Sequence, residues 1–171
     1  MTNESSAAIA VTRKDWVSEH REMYLNSGGT EGHVMDLIPV GGHPFGAHCL
    51  VKYKGRKSGK IFINALCYSF VGGEVVICAS KGGADHHPEW YNNIVAAKDI
   101  EFQVATQAWR GTWREPQGAE RKKVWDVMVD NFPFYANYQK STTRVLPLVM
   151  MKGVTSIPVF KLSDATGQRT Q

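Results

Sequence analysis

Between residues 47 and 79, three apolar runs follow one another across joins too short to hold a helix. Ala47-His48-Cys49-Leu50-Val51-Lys52-Tyr53 reads as a short strand, and residues 61–70, from Ile61 to Phe70, read as a longer one. The segment between them, Lys54 to Lys60, carries glycines near both ends, as a wide hairpin loop does. Gly72-Gly73 is a tight turn into a third strand, Glu74 to Ala79. Parallel neighbours require a crossover between each pair of strands, so these joins argue against a doubly wound parallel sheet.

The flanks supply helices and further strands. Thr12-Arg13-Lys14-Asp15 resembles an N-terminal capping signal, followed by Trp16, Val17, His20, Met23 and Tyr24 at helical spacing. Gly28-Gly29 would end that helix, since glycine adopts the left-handed conformation there at little cost. A second helix is expected over Pro88–Ala97 and a third, amphipathic, over Glu120–Asn131. Ile100, Phe102 and Val104 alternate with Glu101 and Gln103, and Trp109, Gly111 and Trp113 alternate with Arg110, Thr112 and Arg114, which marks two strands. The last strand is placed at Ile157–Leu162, with a frayed tail over 163–171. The expected fold is α+β: a small, mainly antiparallel barrel with helices packed outside it.

A chain of 171 residues with 43% apolar and 21% charged residues fits one soluble domain over 1–171, with a helical segment at 1–30 and a barrel core at 45–162. No apolar stretch approaches the roughly 20 residues that a membrane span needs. The polar start, Met1-Thr2-Asn3-Glu4, lacks a signal-peptide core, so a cytoplasmic location is expected. Cys49, Cys67 and Cys78 are odd in number, show no metal-ligand spacing and sit in or beside apolar runs, as buried free thiols do.

Chemistry concentrates in few places. Lys52, Lys54, Arg56, Lys57 and Lys60 fall within nine residues, a cationic surface suited either to a polyanionic partner or simply to water. Lys57-Ser58-Gly59-Lys60 is not a P-loop, because the residue order is wrong and a strand follows it. Arg56 and Lys57 can still present charge and free amides to a phosphate. Asn64 is unusual inside an apolar strand: it faces solvent, caps something or bonds a ligand, and Asn93 is equally ambiguous on its helix. His86 and His87 are adjacent, so on an extended chain they point in opposite directions, which speaks against a shared metal, and no nucleophile elbow supports a hydrolytic triad. The aromatic segment Phe132-Pro133-Phe134-Tyr135-Ala136-Asn137-Tyr138 suits a lid over a pocket. A nucleic-acid module would need aromatics interleaved with the basic loop, and only Tyr53 and Phe62 qualify.

Four segments taken together resemble the deazaflavin-dependent nitroreductase family of actinobacteria, F420-dependent reductases with a split β-barrel fold. They are Lys54–Lys60, Asn64-Ala65-Leu66, the pair Ala79–Ala84 with Pro88–Asn93, and Phe132–Gln139. The match covers about residues 47–144. The resemblance implies coenzyme F420, planar at its deazaflavin end and polyanionic at its tail. Arg56, Lys57 and Ser58 would hold the phosphate. Phe62, Ile63, Asn64, Ala65, Leu66 and Cys67 would run beside the ring, with Cys78, Ala79, Ser80 and Lys81 contributing from the adjacent strand end. Glu89, Trp90, Tyr91, Asn92 and Asn93 would close the site. Tyr135 would lie between ring and substrate, Tyr135 or Ser80 would stabilise developing charge, and Tyr138 would help orient the acceptor. Acceptors in such a family are quinones, activated alkenes and nitroaromatics.

The alternatives on the same barrel are an FMN- or haem-binding protein and a non-catalytic deazaflavin carrier. No nucleic-acid partner is expected, and a homodimer is compatible with the fold. The charged N-terminal helix speaks against the membrane association of some relatives. One of two candidate starts for the last strand, Leu146-Pro147 or Ile157-Pro158, belongs to an insertion relative to the family.

Overall fold

The computed structural model describes residues 9, 11 and 14–168. Its strands are β1 (Val34–Met35), β2 (Gly46–Lys54), β3 (Ile61–Cys67), β4 (Ser69–Val71), β5 (Glu74–Cys78), β6 (Ile100–Val104), β7 (Gln107–Arg114) and β8 (Leu148–Ile157). Every pairing is antiparallel. Hydrogen bonding links β3 to β2, then β6, β7, β8, β5 and β4, with β1 beside the start of β2. The two ends of that ribbon, β3 and β4, are consecutive in the chain and separated only by Tyr68. The run expected as one strand over 61–70 is thus one bent path that changes partner at Tyr68, from β2 to β5, and it draws the sheet into a split barrel.

The two-residue period of the strands sorts the core. Cys49, Val51, Val75, Ile77, Ile100, Phe102, Val149 and Met151 share one buried cluster, closed by Trp90 and Ile94 of α2 (Glu89–Val95). Their neighbours Val76, Cys78, Leu148 and Met150 point the other way, under α3 (Gly118–Asn131) and α4 (Phe134–Lys140). Leu50, Ile63 and Ala108 pack with Tyr24 and Leu25 of α1 (Trp16–Asn26) and with Phe160. Among the described residues no helix is long and apolar enough to cross a membrane.

Four expectations need correction. The last strand is β8, starting just after Pro147, and Ile157 ends it instead of opening it. Leu148 to Met151 lie between β5 and β7 and are buried on both faces, so they lack the alternation that marks a half-exposed strand. The aromatic segment is not a loose lid, since Phe134–Lys140 is a helix with Tyr135 only 5% exposed. Within the tail expected to fray, residues 166–168 instead bond along β3, while 169–171 lie outside the described residues. Finally, α1 starts at Trp16 with Asp15 in the N-cap position but no side-chain cap bond; Thr12 and Arg13 lie outside the described residues.

Candidate active site

The hairpin between β2 and β3 forms a small cationic cleft of about 250 Å³, lined by Tyr53, Arg56, Lys57, Ser58, Phe62, Glu89 and Asn93. The loop is braced internally: Gly55 N–H donates to the Lys60 carbonyl at 2.8 Å, and Gly59 N–H to the Gly55 carbonyl at 2.8 Å. Buried Asn93 joins α2 to it, its Oδ1 accepting from the Arg56 backbone N–H at 3.0 Å and from Arg56 Nη1 at 2.8 Å. That answers why a mediocre helix former sits there. Arg56 Nη1 also meets Glu89 at 2.9 Å, and this bond, with the guanidinium charge, holds the exposed Glu89 carboxyl below its ordinary range. Lys57 makes no ion pair among the described residues.

The wall of the cleft continues along β3. Tyr53 and Phe62 oppose each other across β2 and β3, rings stacked at 5.6 Å and 13°. Tyr53 donates its hydroxyl to Asn64 Oδ1 at 3.0 Å. Asn64 Nδ2 makes no hydrogen bond to the described residues and stays available to a ligand. Ile63 and Ala65 face α1 and the segment beyond β8, away from Phe62 and Asn64. Leu66 packs toward the inner cluster. The expected run Phe62–Cys67 is therefore divided between two faces. Trp90 is 5% exposed and belongs to the inner core, and Tyr91 turns its hydroxyl to Glu115 at 3.0 Å.

At the far end of β3, roughly 17 Å from Phe62 at about 3.3 Å per residue, a second cluster gathers. Tyr135 packs there with Cys67 and Cys78. Burial pushes both thiols up to about 12 and the Tyr135 phenol well above its ordinary value. The Cys67 thiol lies 3.3 Å from His48 Nε2. Tyr138, half-buried, stacks near Phe134 and Tyr135. Neither its hydroxyl nor that of Ser80 makes a hydrogen bond to the described residues.

The turn at Lys81–Gly83, which follows Ser80, packs on α4 through Gly83. Gly83 adopts φ +83°, and a Cβ there would fall 2.6 Å from the Tyr138 carbonyl oxygen, so only glycine lets the turn close on α4. Lys81 also has a positive φ, +45°, and its ammonium reaches His86 at 2.7 Å. Arg144 organises the whole turn, a role its sequence context did not mark. It donates to the carbonyls of Ser80 (2.7 Å), Ala84 (2.6 Å) and Ala79 (3.1 Å), and to His87 Nδ1 at 2.9 Å. His87 neither caps α2 nor stands free; it accepts from Arg144. Among the described residues no group of His, Cys, Asp and Glu could hold a metal ion.

An antiparallel split barrel with a cationic cleft at one end of β3 suits an anionic ligand. The family of F420H(2)-dependent quinone reductases matches residues 16–153, and the chain belongs to it. It is 31% identical over 135 residues to the F420H(2)-dependent quinone reductase Rv1261c of Mycobacterium tuberculosis strain H37Rv, covering 77% of this chain and 86% of that one. Two solved structures are similar. One is described as a domain-swapped dimer (33% identity, TM-score 0.59, 81% of this chain and 98% of that one). The other is an F420-H2 dependent reductase, FDR-A (34% identity, TM-score 0.57, 61% of this chain and 93% of that one).

Proposed function

We propose that this protein is an F420H2-dependent oxidoreductase that reduces an electron-poor small molecule, with quinones ahead of activated alkenes and nitroaromatics. Coenzyme F420 is the cofactor after which the family is named, and bound there it supplies a hydride from its deazaflavin ring. The observation that carries the reading is the cationic cleft at the β2–β3 hairpin, lined by Arg56, Lys57 and Ser58, whose charge suits the phosphate-linked tail. Cys67, Cys78, Tyr135 and Tyr138 pack together at the far end of β3.

Arg56, Lys57 and Ser58 hold the anionic tail, with Lys57 supplying the uncommitted charge. Phe62, Asn64 and Leu66 offer one strand face, while Cys78, Ala79, Ser80 and Lys81 offer the neighbouring strand end. Tyr135 is a buried wall of the acceptor site. Tyr138 and Ser80 donate hydrogen bonds to the oxygen on which charge develops. The enzyme works in the cytoplasm, and a homodimer fits the reading because one similar structure is described as a dimer.

Titrating the purified protein with F420 tests this, followed by oxidation of F420H2 with a panel of quinones, enones and nitroaromatics. Micromolar or tighter binding and quinone turnover are expected. Binding of FMN but not F420 sinks the cofactor assignment, and tight F420 binding without turnover marks a carrier.

A further inference from the structure

β3 pairs only with β2, which leaves its other edge open, and an open edge carries unpaired N–H and C=O groups. Residues 166–168 cover it. Gly167 N–H donates to the Ile61 carbonyl at 2.8 Å, and Thr166 Oγ1 accepts from Ile61 N–H at 2.9 Å. The Gln168 side chain then acts as a stand-in peptide group. Its Oε1 accepts from Ile63 N–H at 3.0 Å and its Nε2 donates to the Ile63 carbonyl at 2.8 Å.

These bonds grip the residues on either side of Phe62. A Cβ on Gly167 would lie 2.5 Å from Phe62 Cζ and 2.7 Å from both Cε atoms. Near-equal distances to those three atoms place Gly167 over the face of the ring, near its tip. Tyr53 stacks with the same ring from β2, on the opposite side of β3. Phe62 is thus fixed from both edges of its strand, and it lines the cationic cleft beside Arg56, Lys57 and Ser58. The covering segment lies beyond residues 16–153, the part of the chain that the family prescribes.

We propose that residues 166–168 form a strap that sets the position of Phe62 and so shapes the cleft for the phosphate-bearing end of the coenzyme, with Gly167 and Gln168 as positioning residues. This rests on the cofactor reading above. The strap meets the cleft at Phe62. Three of its four bonds use its own side chains, so single substitutions release it without breaking a strand.

The experiment compares the wild-type chain with Gln168→Ala and Gly167→Val. Its readouts are amide hydrogen exchange at Ile61 and Ile63, the Gly167 α-proton resonances, and F420 titration. In the wild type the Ile63 amide is protected and the Gly167 α-protons are shifted upfield by the Phe62 ring. Gln168→Ala is expected to speed Ile63 exchange, to return those resonances toward their unshifted positions, and to weaken F420 binding roughly three- to tenfold. KM for F420 rises more than kcat falls. Gly167→Val, which pushes on the ring directly, weakens binding at least as much.

An unchanged F420 dissociation constant in Gln168→Ala, with exchange accelerated, overturns the strap and leaves the segment a mere edge cover. Unchanged exchange overturns it as well. A wild-type protein that binds no F420 overturns the cofactor reading and with it the strap's purpose, an outcome distinct from either of the others.

Discussion

The Cys67 thiol stands 3.3 Å from His48 Nε2, and that contact orients a buried chain of hydrogen bonds. His48 Nδ1 lies 2.7 Å from the Gly46 carbonyl, which can only accept, so Nδ1 carries the ring proton. Burial, and then neighbouring His20, pull His48 down to about 3, which keeps it neutral near neutral pH. Its Nε2 is then a bare lone pair, and Cys67 S–H donates to it. Tyr135, 5% exposed, packs in the same cluster as Cys67, and burial holds its phenol protonated, well above its ordinary value.

Burial separates two tyrosines that the sequence puts on one helical face. Tyr135→Phe should keep turnover within about threefold of wild type, since Tyr135 is a buried wall while Tyr138 is only half-buried. Tyr138→Phe or Ser80→Ala should lower kcat roughly 10- to 100-fold, the range for losing a donor to developing charge. Steady-state kinetics with one quinone at saturating F420H2 decides it. A collapse in Tyr135→Phe with Tyr138→Phe unaffected would show that the buried tyrosine, not Tyr138, is the donor.

Stability should fall on mild acidification. His48, His20 and His33 all have folded pKa values below the ordinary 6.5, each first through burial. Below that value the unfolded chain binds protons that the folded chain does not. Stability is thus fully present above about pH 6.5 and is lost as pH falls toward the folded values. Each such histidine contributes up to about 1.4 kcal/mol per pH unit. Urea unfolding at pH 7.5, 6 and 5 spans a window where carboxylates stay ionised, and a flat profile would contradict the assignment. His48→Gln should remove about one histidine's share of the slope.

Arg144→Ala should cost about 2–4 kcal/mol, because it strips the donor from three carbonyls and from His87 at once. Arg144→Lys should recover only part of that, since an ammonium lacks the planar fork. Chemical denaturation measures the cost. Proteolysis of residues 79–87 should accelerate in both variants, and a turn that stays resistant in Arg144→Ala would deny Arg144 this role.

Most of the fold was legible because its signals are local. The Gly-flanked loop at 54–60, the Gly72-Gly73 turn and the alternation at Ile100–Val104 each mark an element without reference to the rest of the chain. Leu148 to Met151 gave no such signal, since burial on both faces erases alternation. The hold of Gln168 on Ile63 spans 105 residues and uses a side chain, so no periodicity reports it. At the site, the cationic loop could be read from composition. The work of Arg144 could not, because its partners are carbonyls, and those have no residue signature. Asn64 and Asn93 stand out in the sequence as amides in unusual places, but their partners, Tyr53 and Arg56, are brought to them only by the fold.

Lys57 and Glu89 should move cofactor affinity in opposite directions. Lys57 has no ion pair among the described residues, so Lys57→Ala removes an uncommitted charge and should weaken F420 binding about tenfold with little change in stability. Glu89 already occupies Arg56 Nη1 at 2.9 Å, so an incoming phosphate must compete with it. Its side chain is 67% exposed, so the pair is a solvent-screened surface ion pair that an incoming anion can displace. Glu89→Gln should accordingly tighten F420 by roughly two- to fivefold and soften the salt dependence least of all cleft variants, because Arg56 stays anchored by Asn93. Fluorescence titrations of F420 at two salt concentrations measure both effects. Weaker binding in Glu89→Gln would mean that the carboxylate holds Arg56 in its productive pose, and the competition argument would fail.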